Sequence, residues 1–281
     1  MTSLLRLQPG TATPPIYCFH PLGGSAGVYG ALALYIGSDR LVFGLQSIGL
    51  AGGEPDRTVE AMVERYAAEI AGSGIDAYGG PAVFLGYSMG GMLALETARL
   101  LRDEVRYPPA VLLIDCDPLY GTELDSDPWR VLLDQVLDID LPAGILTGLA
   151  LPDALRLVRA AGAEQGRLPA RFSIDRLGRM LRVCAANERA SAQHVPAPYP
   201  GRLHVIRAAV ANAEPFGDAW EAFAEEVIMW VVPAGHYAVM SPVCYPAIAG
   251  RVRGLLGGGR SAGRAPGGAV APAQRPVGSS S

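Results

Sequence analysis

Gly86-Tyr87-Ser88-Met89-Gly90 sets a serine hydroxyl between glycines in the GxSxG spacing of a nucleophile elbow, a strained strand-to-helix turn that lifts the serine above a sheet. GxSxG is a weak signal in a chain with 35 glycines, and it recurs around Ser25 (Gly23 to Gly27) and Ser261 (Gly259 to Gly263). Context selects among the three. Only Ser88 has a compact apolar run directly before it, Ala82 to Tyr87, and a long helical pattern directly after it, Met89 to Arg102. Ser25 is set off from its strand by the loop His20-Pro-Leu-Gly-Gly, and Ser261 lies in a Gly, Ala, Pro, Ser and Arg tail.

A serine nucleophile needs a base, and the base needs an orienting acid. The chain contains no lysine, which excludes Schiff-base enzymes, a Walker lysine and a kinase of ordinary design. The base must then be a histidine or a carboxylate. Of the four histidines, His236 follows the strand pattern Val227 to Val232 through Pro233-Ala-Gly and precedes a final helix, which puts it at the carboxyl edge of the sheet. Catalytic groups collect at that edge in open α/β folds. His204 lies inside a strand pattern and His194 in the insertion between strands, so they read as packing and solvation. His20, at the edge of the first strand, can line the site without serving as base.

Asp115 ends the apolar run that begins at Ala110, and is preferred as the acid to Asp117, two residues on. The rival place, the loop after Leu203 to Arg207, has no carboxylate before Glu214. Charge developing on an attacked carbonyl oxygen requires backbone donors. Met89 supplies one N–H; the loop from His20 to Gly27 supplies the second, with Leu22 preferred and Gly23 in reserve.

These groups need a scaffold, and the chain has its pattern. Ile16 to Phe19, Leu41 to Gln46, Ala82 to Tyr87 and Ala110 to Asp115 are short apolar runs typical of strands buried on both faces. Helical patterns alternate with them: after Thr58, residues Val59, Met62, Val63, Tyr66 and Ile70 recur at helical spacing, opposite Glu60, Glu64, Arg65 and Glu69. The order implies an α/β fold with a mostly parallel central sheet flanked by helices. From about 118 to 200 the patterns are helical (Trp129 to Leu137, Asp153 to Ala163, Ile174 to Ala190), which predicts an insertion. Strands resume at Leu203 to Arg207 and Val227 to Val232, and Pro242 to Leu256 closes as a helix. Residues 1–14 read as a leader, 15–256 as one domain, and 257–281 as a disordered tail.

Composition narrows the partners. Over 281 residues the formal charge is -4 with signs mixed along the chain, which argues against nucleic acid and a polybasic membrane anchor. No run reaches the roughly 18 to 20 apolar residues of a membrane span, and the start lacks the pattern of a signal peptide. Cys18, Cys116, Cys184 and Cys244 are scattered, without the spacing of a zinc site or a disulfide framework. The expected location is the cytoplasm.

Over roughly Pro15 to Leu256 the sequence resembles the thioesterase domains that end nonribosomal peptide and polyketide assembly lines, members of the α/β-hydrolase superfamily. The resemblance rests on Phe19-His-Pro-Leu-Gly-Gly, Gly-Tyr-Ser88-Met-Gly-Gly, Asp115 lying 27 residues after that serine, and Gly235-His236. The position of the acid is similar to that in terminal offloading thioesterases, whereas editing thioesterases usually carry it after a later strand. The resemblance implies an α/β-hydrolase fold whose insertion is a lid over the acyl chain, a Ser88, His236, Asp115 triad, and oxyanion donors at Leu22 and Met89. It implies no metal or cofactor of the domain's own, and an acyl or peptidyl carrier protein as partner, presenting an acyl, peptidyl or polyketide chain on its phosphopantetheine arm. A Ser88 acyl-enzyme would be resolved by water or by a nucleophile of the chain itself, giving hydrolysis or macrocyclisation. No carrier domain precedes Met1, so the expectation is an excised domain or a free-standing protein. Offloading, editing and generic esterase activity share the triad, whereas a noncatalytic binding protein of the fold would typically lose a triad member.

Overall fold

The computed structural model describes residues 1–118, 128–209 and 219–257. Among these residues seven strands form one sheet in the order β1-β3-β2-β4-β5-β6-β7: β1 Leu4–Gln8, β2 Ala12–Phe19, β3 Arg40–Leu45, β4 Val83–Tyr87, β5 Ala110–Ile114, β6 Tyr199–Ala208 and β7 Ala224–Val232. Strand β1 runs antiparallel to β3, and every other neighbouring pair is parallel. The mostly parallel sheet with flanking helices is that of the α/β-hydrolase fold.

The apolar runs divide by alternation. Tyr17, Phe19, Phe84, Val111 and Leu113 face one side, where they pack under α2 (Val59–Gly72) and α3 (Met89–Leu101). Ile16, Cys18, Val83, Leu85, Leu112 and Ile114 face the other, against α1 (Gly30–Ile36) and α7 (Tyr245–Gly257). Successive side chains of a strand point to opposite faces, so a strand covered on both sides reads as a continuous apolar run. Each large side chain removed from water in this way stabilises the fold by about 1.5–3 kcal/mol. Thr58 starts α2 as a cap, its hydroxyl accepting the Ala61 N–H at 3.2 Å.

Between β5 and β6 the regular elements among the described residues are helical: α4 (Pro128–Arg130) running into a π-helical turn (Val131–Leu137), α5 (Leu151–Glu164) and α6 (Ile174–Gln193). Gly24 and Gly49, in the loops after β2 and β3, touch α6 so closely that a Cβ on either would meet a Val183 methyl at 2.3 and 2.6 Å.

The residues expected as a leader take part in the sheet. Leu4–Gln8 is a sheet strand, and Ala12 already begins β2. The Leu4 N–H and the Ser3 N–H both donate to the Glu69 carboxylate of α2, which fastens this end of the chain to the body. Except for Gly257, the expected tail lies outside the described residues, as do 119–127 of the insertion and the loop 210–218 with Glu214. No helix among the described residues is long and apolar enough to cross a membrane.

Candidate active site

Strand β4 is central in the sheet, wholly buried, and ends directly at Ser88. Ser88 has φ 55 and ψ −132, a conformation costly for a residue with a side chain, and α3 begins at the next residue. The turn is held by its neighbours: the Ser88 N–H donates to the Ile114 carbonyl at 2.9 Å, extending the β4–β5 ladder, and the Gly91 N–H donates back to the Ser88 carbonyl at 2.9 Å. The two flanking glycines are needed for close approach. A Cβ on Gly86 would meet the Gly90 carbonyl oxygen at 2.0 Å, and one on Gly90 would meet that of Phe19 at 2.2 Å. The Tyr29 hydroxyl joins the ends of β2 and β4, donating to the Phe19 carbonyl at 2.6 Å and accepting the Tyr87 N–H at 2.7 Å.

Asp115 follows β5 with φ 44, its own N–H bonded to the Ile206 carbonyl at 2.7 Å. One carboxylate oxygen accepts the Ala208 N–H at 2.9 Å; the other lies 2.7 Å from His236 Nδ1. A carboxylate can only accept, so Nδ1 carries the proton and leaves Nε2 with a free lone pair. Nε2 is 3.2 Å from Ser88 Oγ. The Tyr87 hydroxyl donates to the His236 carbonyl at 2.9 Å, and the two rings lie 5.0 Å apart. The structure thus brings Asp115, and not Asp117, to the imidazole. Such a chain of hydrogen bonds can draw the hydroxyl proton as oxygen attacks a carbonyl carbon.

The Met89 N–H is the first of α3 and has no acceptor in a preceding turn. Across from it runs the loop after β2, where the Leu22 N–H has no acceptor among the described residues. The loop is pinned on three sides. The Gly24 N–H donates to the Pro21 carbonyl at 2.9 Å, the Ser47 N–H to the Gly24 carbonyl at 2.9 Å, and the Asn187 side chain of α6 to the Leu22 carbonyl at 2.8 Å. Leu22, Gly23, Ser88 and His236 border one cavity of about 580 Å³, whose far wall includes Gln135, Val136, Arg176, Arg179 and Met180 of the insertion.

The other histidines do not reach that cavity. His20 is fully buried, with Nδ1 2.8 Å from the Pro21 carbonyl and Nε2 2.7 Å from the Tyr66 hydroxyl. The carbonyl accepts, so Nδ1 bears the proton and Nε2 receives the tyrosine's. Burial pushes its pKa down to about 4, against a smaller upward effect of the Pro21 carbonyl, so it is a neutral structural link. His204 stacks on Trp230 at 5.5 Å. His194 differs from its expected solvation: it sits between Glu60 of α2, 2.8 Å away, and the buried Glu96 of α3, 3.4 Å away. All four cysteines are free and buried, and no group of His, Cys, Asp and Glu among the described residues could hold a metal ion.

Sequence reasoning missed four contributors. Tyr87 stands inside the GxSxG motif, and its hydroxyl fixes the His236 loop. Asn187 offers as its signal a polar residue on the apolar side of a helical pattern. Arg176 and Arg179 face the cavity one turn apart, which the helical spacing alone could have flagged.

Comparison with known proteins places this geometry in context. The family described as Thioesterase domain matches residues 14–164. The chain is 36% identical over 132 residues to the nonribosomal peptide synthetase pngA of Aspergillus terreus, covering 45% of this chain and 13% of that protein. It therefore spans a small part of that relative's length. Among solved structures, a four-domain nonribosomal peptide synthetase bound to AMP and glycine superposes with a TM-score of 0.80 at 22% identity, over 91% of this chain and 20% of that one. The Vlm2 thioesterase domain bound with a dodecadepsipeptide superposes with a TM-score of 0.68 at 23% identity, over 91% and 98%.

Proposed function

Since the chain belongs to the thioesterase domain family, we propose that it releases an acyl, peptidyl or polyketide chain from the phosphopantetheine thioester of a carrier protein through an acyl-enzyme on Ser88. The observation that carries this reading is His236 suspended between Asp115 at 2.7 Å and Ser88 at 3.2 Å. Ser88 Oγ attacks the thioester carbon while His236 Nε2 takes its proton, and Asp115 stabilises the imidazolium. The Met89 and Leu22 N–H groups receive the oxyanion. On collapse the carbon–sulfur bond breaks, the thiol leaves with the proton from His236, and an ester to Ser88 remains. His236 then deprotonates water, releasing an acid, or a hydroxyl or amine of the chain, releasing a ring. The helices between β5 and β6 act as a lid over the cavity.

Two measurements test the reading. A serine-directed fluorophosphonate should add to Ser88 in the folded protein, and a protein that stays unlabelled is not a serine acyl-transfer enzyme. A carrier-bound acyl thioester should be turned over faster than a simple ester of the same acyl group. Preference for the simple ester would assign the site to a general esterase. The product's mass, with or without an added water, separates hydrolysis from cyclisation.

A further inference from the structure

The cavity above Ser88 is unevenly charged. Leu22, Leu50, Val136 and Met180 give it apolar walls, yet among the described residues its lining includes two guanidinium side chains, Arg176 and Arg179, and no aspartate or glutamate. They stand one turn apart on α6, so both leave the same face of the helix. Arg176 lies over the Phe172 ring at 5.4 Å, and its side-chain N–H groups have no hydrogen-bond acceptor among the described residues. Arg179 is half-buried, and its Nε is enclosed without a hydrogen-bond acceptor among the described residues. Among the other arginines, Arg65 pairs with Asp56, Arg99 with Glu96 and Arg202 with Glu226, each at 2.7 Å. Neither lid arginine has such a partner among the described residues. An enclosed donor without an acceptor destabilises the fold, and this one belongs to a side chain that lines the cavity beside the nucleophile.

Building on the thioesterase reading, we infer that Arg176 and Arg179 form an anion-reading subsite of the substrate pocket. It takes an oxyanion group of the incoming thioester: a carboxylate within the acyl chain, or the phosphate of the pantetheine arm. Planar guanidinium forks match the oxygens of either. Because Ser88 and His236 border the same cavity, an anion held on α6 fixes where the thioester carbonyl lies relative to the nucleophile.

Binding to the Ser88→Ala protein separates this subsite from the chemistry. Titration calorimetry would compare tetrapeptidyl pantetheine thioesters carrying one glutamate, moved through the four positions, with the all-glutamine chain. The all-glutamine chain would also be compared on pantetheine and on phosphopantetheine. At least one anionic ligand should bind about tenfold or more tightly than its neutral counterpart. That preference should collapse when Arg176→Gln and Arg179→Gln are added, with thermal unfolding confirming that the variant is folded. Preference for a glutamate chain places the anion in the acyl group, and preference for the phosphate places it in the arm. Equal binding throughout, no binding of any ligand, or a preference that survives the arginine substitutions overturns the subsite. Failure of the thioesterase reading is registered separately, as wild-type Ser88 that fluorophosphonate does not label.

Discussion

The side-chain amide of Asn187 donates to the main-chain carbonyl of Leu22 at 2.8 Å, and Asn187 has no exposed surface. One residue belongs to α6, the other to the loop after β2, which carries the proposed oxyanion donor. Val183, one turn earlier on α6, packs against Gly24 of the same loop. Helix α6 and the loop after β2 are therefore one packed unit, and on the proposed reading a change in α6 reaches the reacting carbonyl through the backbone at Leu22.

Asn187→Ala should lower both stability and turnover. It strands the buried Leu22 carbonyl, at a cost of about 1–3 kcal/mol. It also releases the loop, and because loss of a whole oxyanion donor costs about 10²–10³ in kcat, a loosened donor should cost about tenfold. Denaturant unfolding and steady-state kinetics check the two halves. Lower stability with an unchanged kcat would remove Leu22 from the oxyanion site.

Asp115→Asn keeps the size of the side chain but offers Nδ1 of His236 an amide in place of a carboxylate. The imidazole then settles in the wrong tautomer, and kcat should fall by about 10⁴ with a much smaller change in KM. Asp117→Asn should lose less than about tenfold, since Asp115 holds the ring at 2.7 Å. A larger loss at Asp117 would reverse the assignment.

The cluster at His194 predicts a pH window. Burial pulls this imidazole down, but hydrogen bonds to Glu96 and Glu60 and their charges outweigh it and raise its pKa above the ordinary 6.5. Glu96 is pushed up by burial, yet hydrogen bonds from His194, Arg99 and the Ala197 N–H bring it below 4.5; Glu60 is also lowered, first by its own backbone N–H. Glu64 and Arg99 border the same hollow. A raised histidine stabilises fully below 6.5 and loses its contribution as pH climbs through its folded pKa. Lowered carboxylates stabilise above 4.5 and lose theirs as pH falls through their folded pKa. The stability difference between wild type and His194→Gln should thus be greatest at about pH 4.5–6.5 and shrink on both sides. A difference flat across pH would show that His194 contributes packing alone.

What the sequence revealed, and what it hid, follows from how local each signal is. Ser88, Asp115 and His236 each follow a strand end, and a strand end in a parallel sheet fixes a place in space, so their convergence was legible without knowing the strand order. Leu4–Gln8 was hidden because its stability comes from β3 and from the Glu69 carboxylate, both distant in the chain. Strands β6 and β7 extend beyond their apolar runs because they pair at a sheet edge, where Arg202 and Glu226 meet at 2.7 Å and polar residues are no obstacle. The partners of Asn187 and His194 likewise depend on where a helix lands, which no local pattern states.

Two glycine substitutions test how tightly the elbow is built. A Cβ on Gly90 would lie 2.2 Å from the Phe19 carbonyl oxygen and 2.9 Å from that of His20. Both are backbone atoms held in place, by the Tyr29 hydroxyl at Phe19 and by the sheet, so the strain cannot pass into a flexible side chain. Gly90→Ala should therefore destabilise by about 1–3 kcal/mol, as overpacking of a filled interior does. Because His20 leads directly into the loop bearing Leu22, the same displacement should also reduce kcat. Gly72, the last residue of α2, is the control: a Cβ there meets nothing within 4 Å, and its backbone is helical. Gly72→Ala should stabilise by about 0.4–1 kcal/mol through the lower entropy of the unfolded chain, with kinetics unchanged. If Gly90→Ala matched it in stability and rate, the close contact between elbow and β2 would not be what requires glycine in the motif.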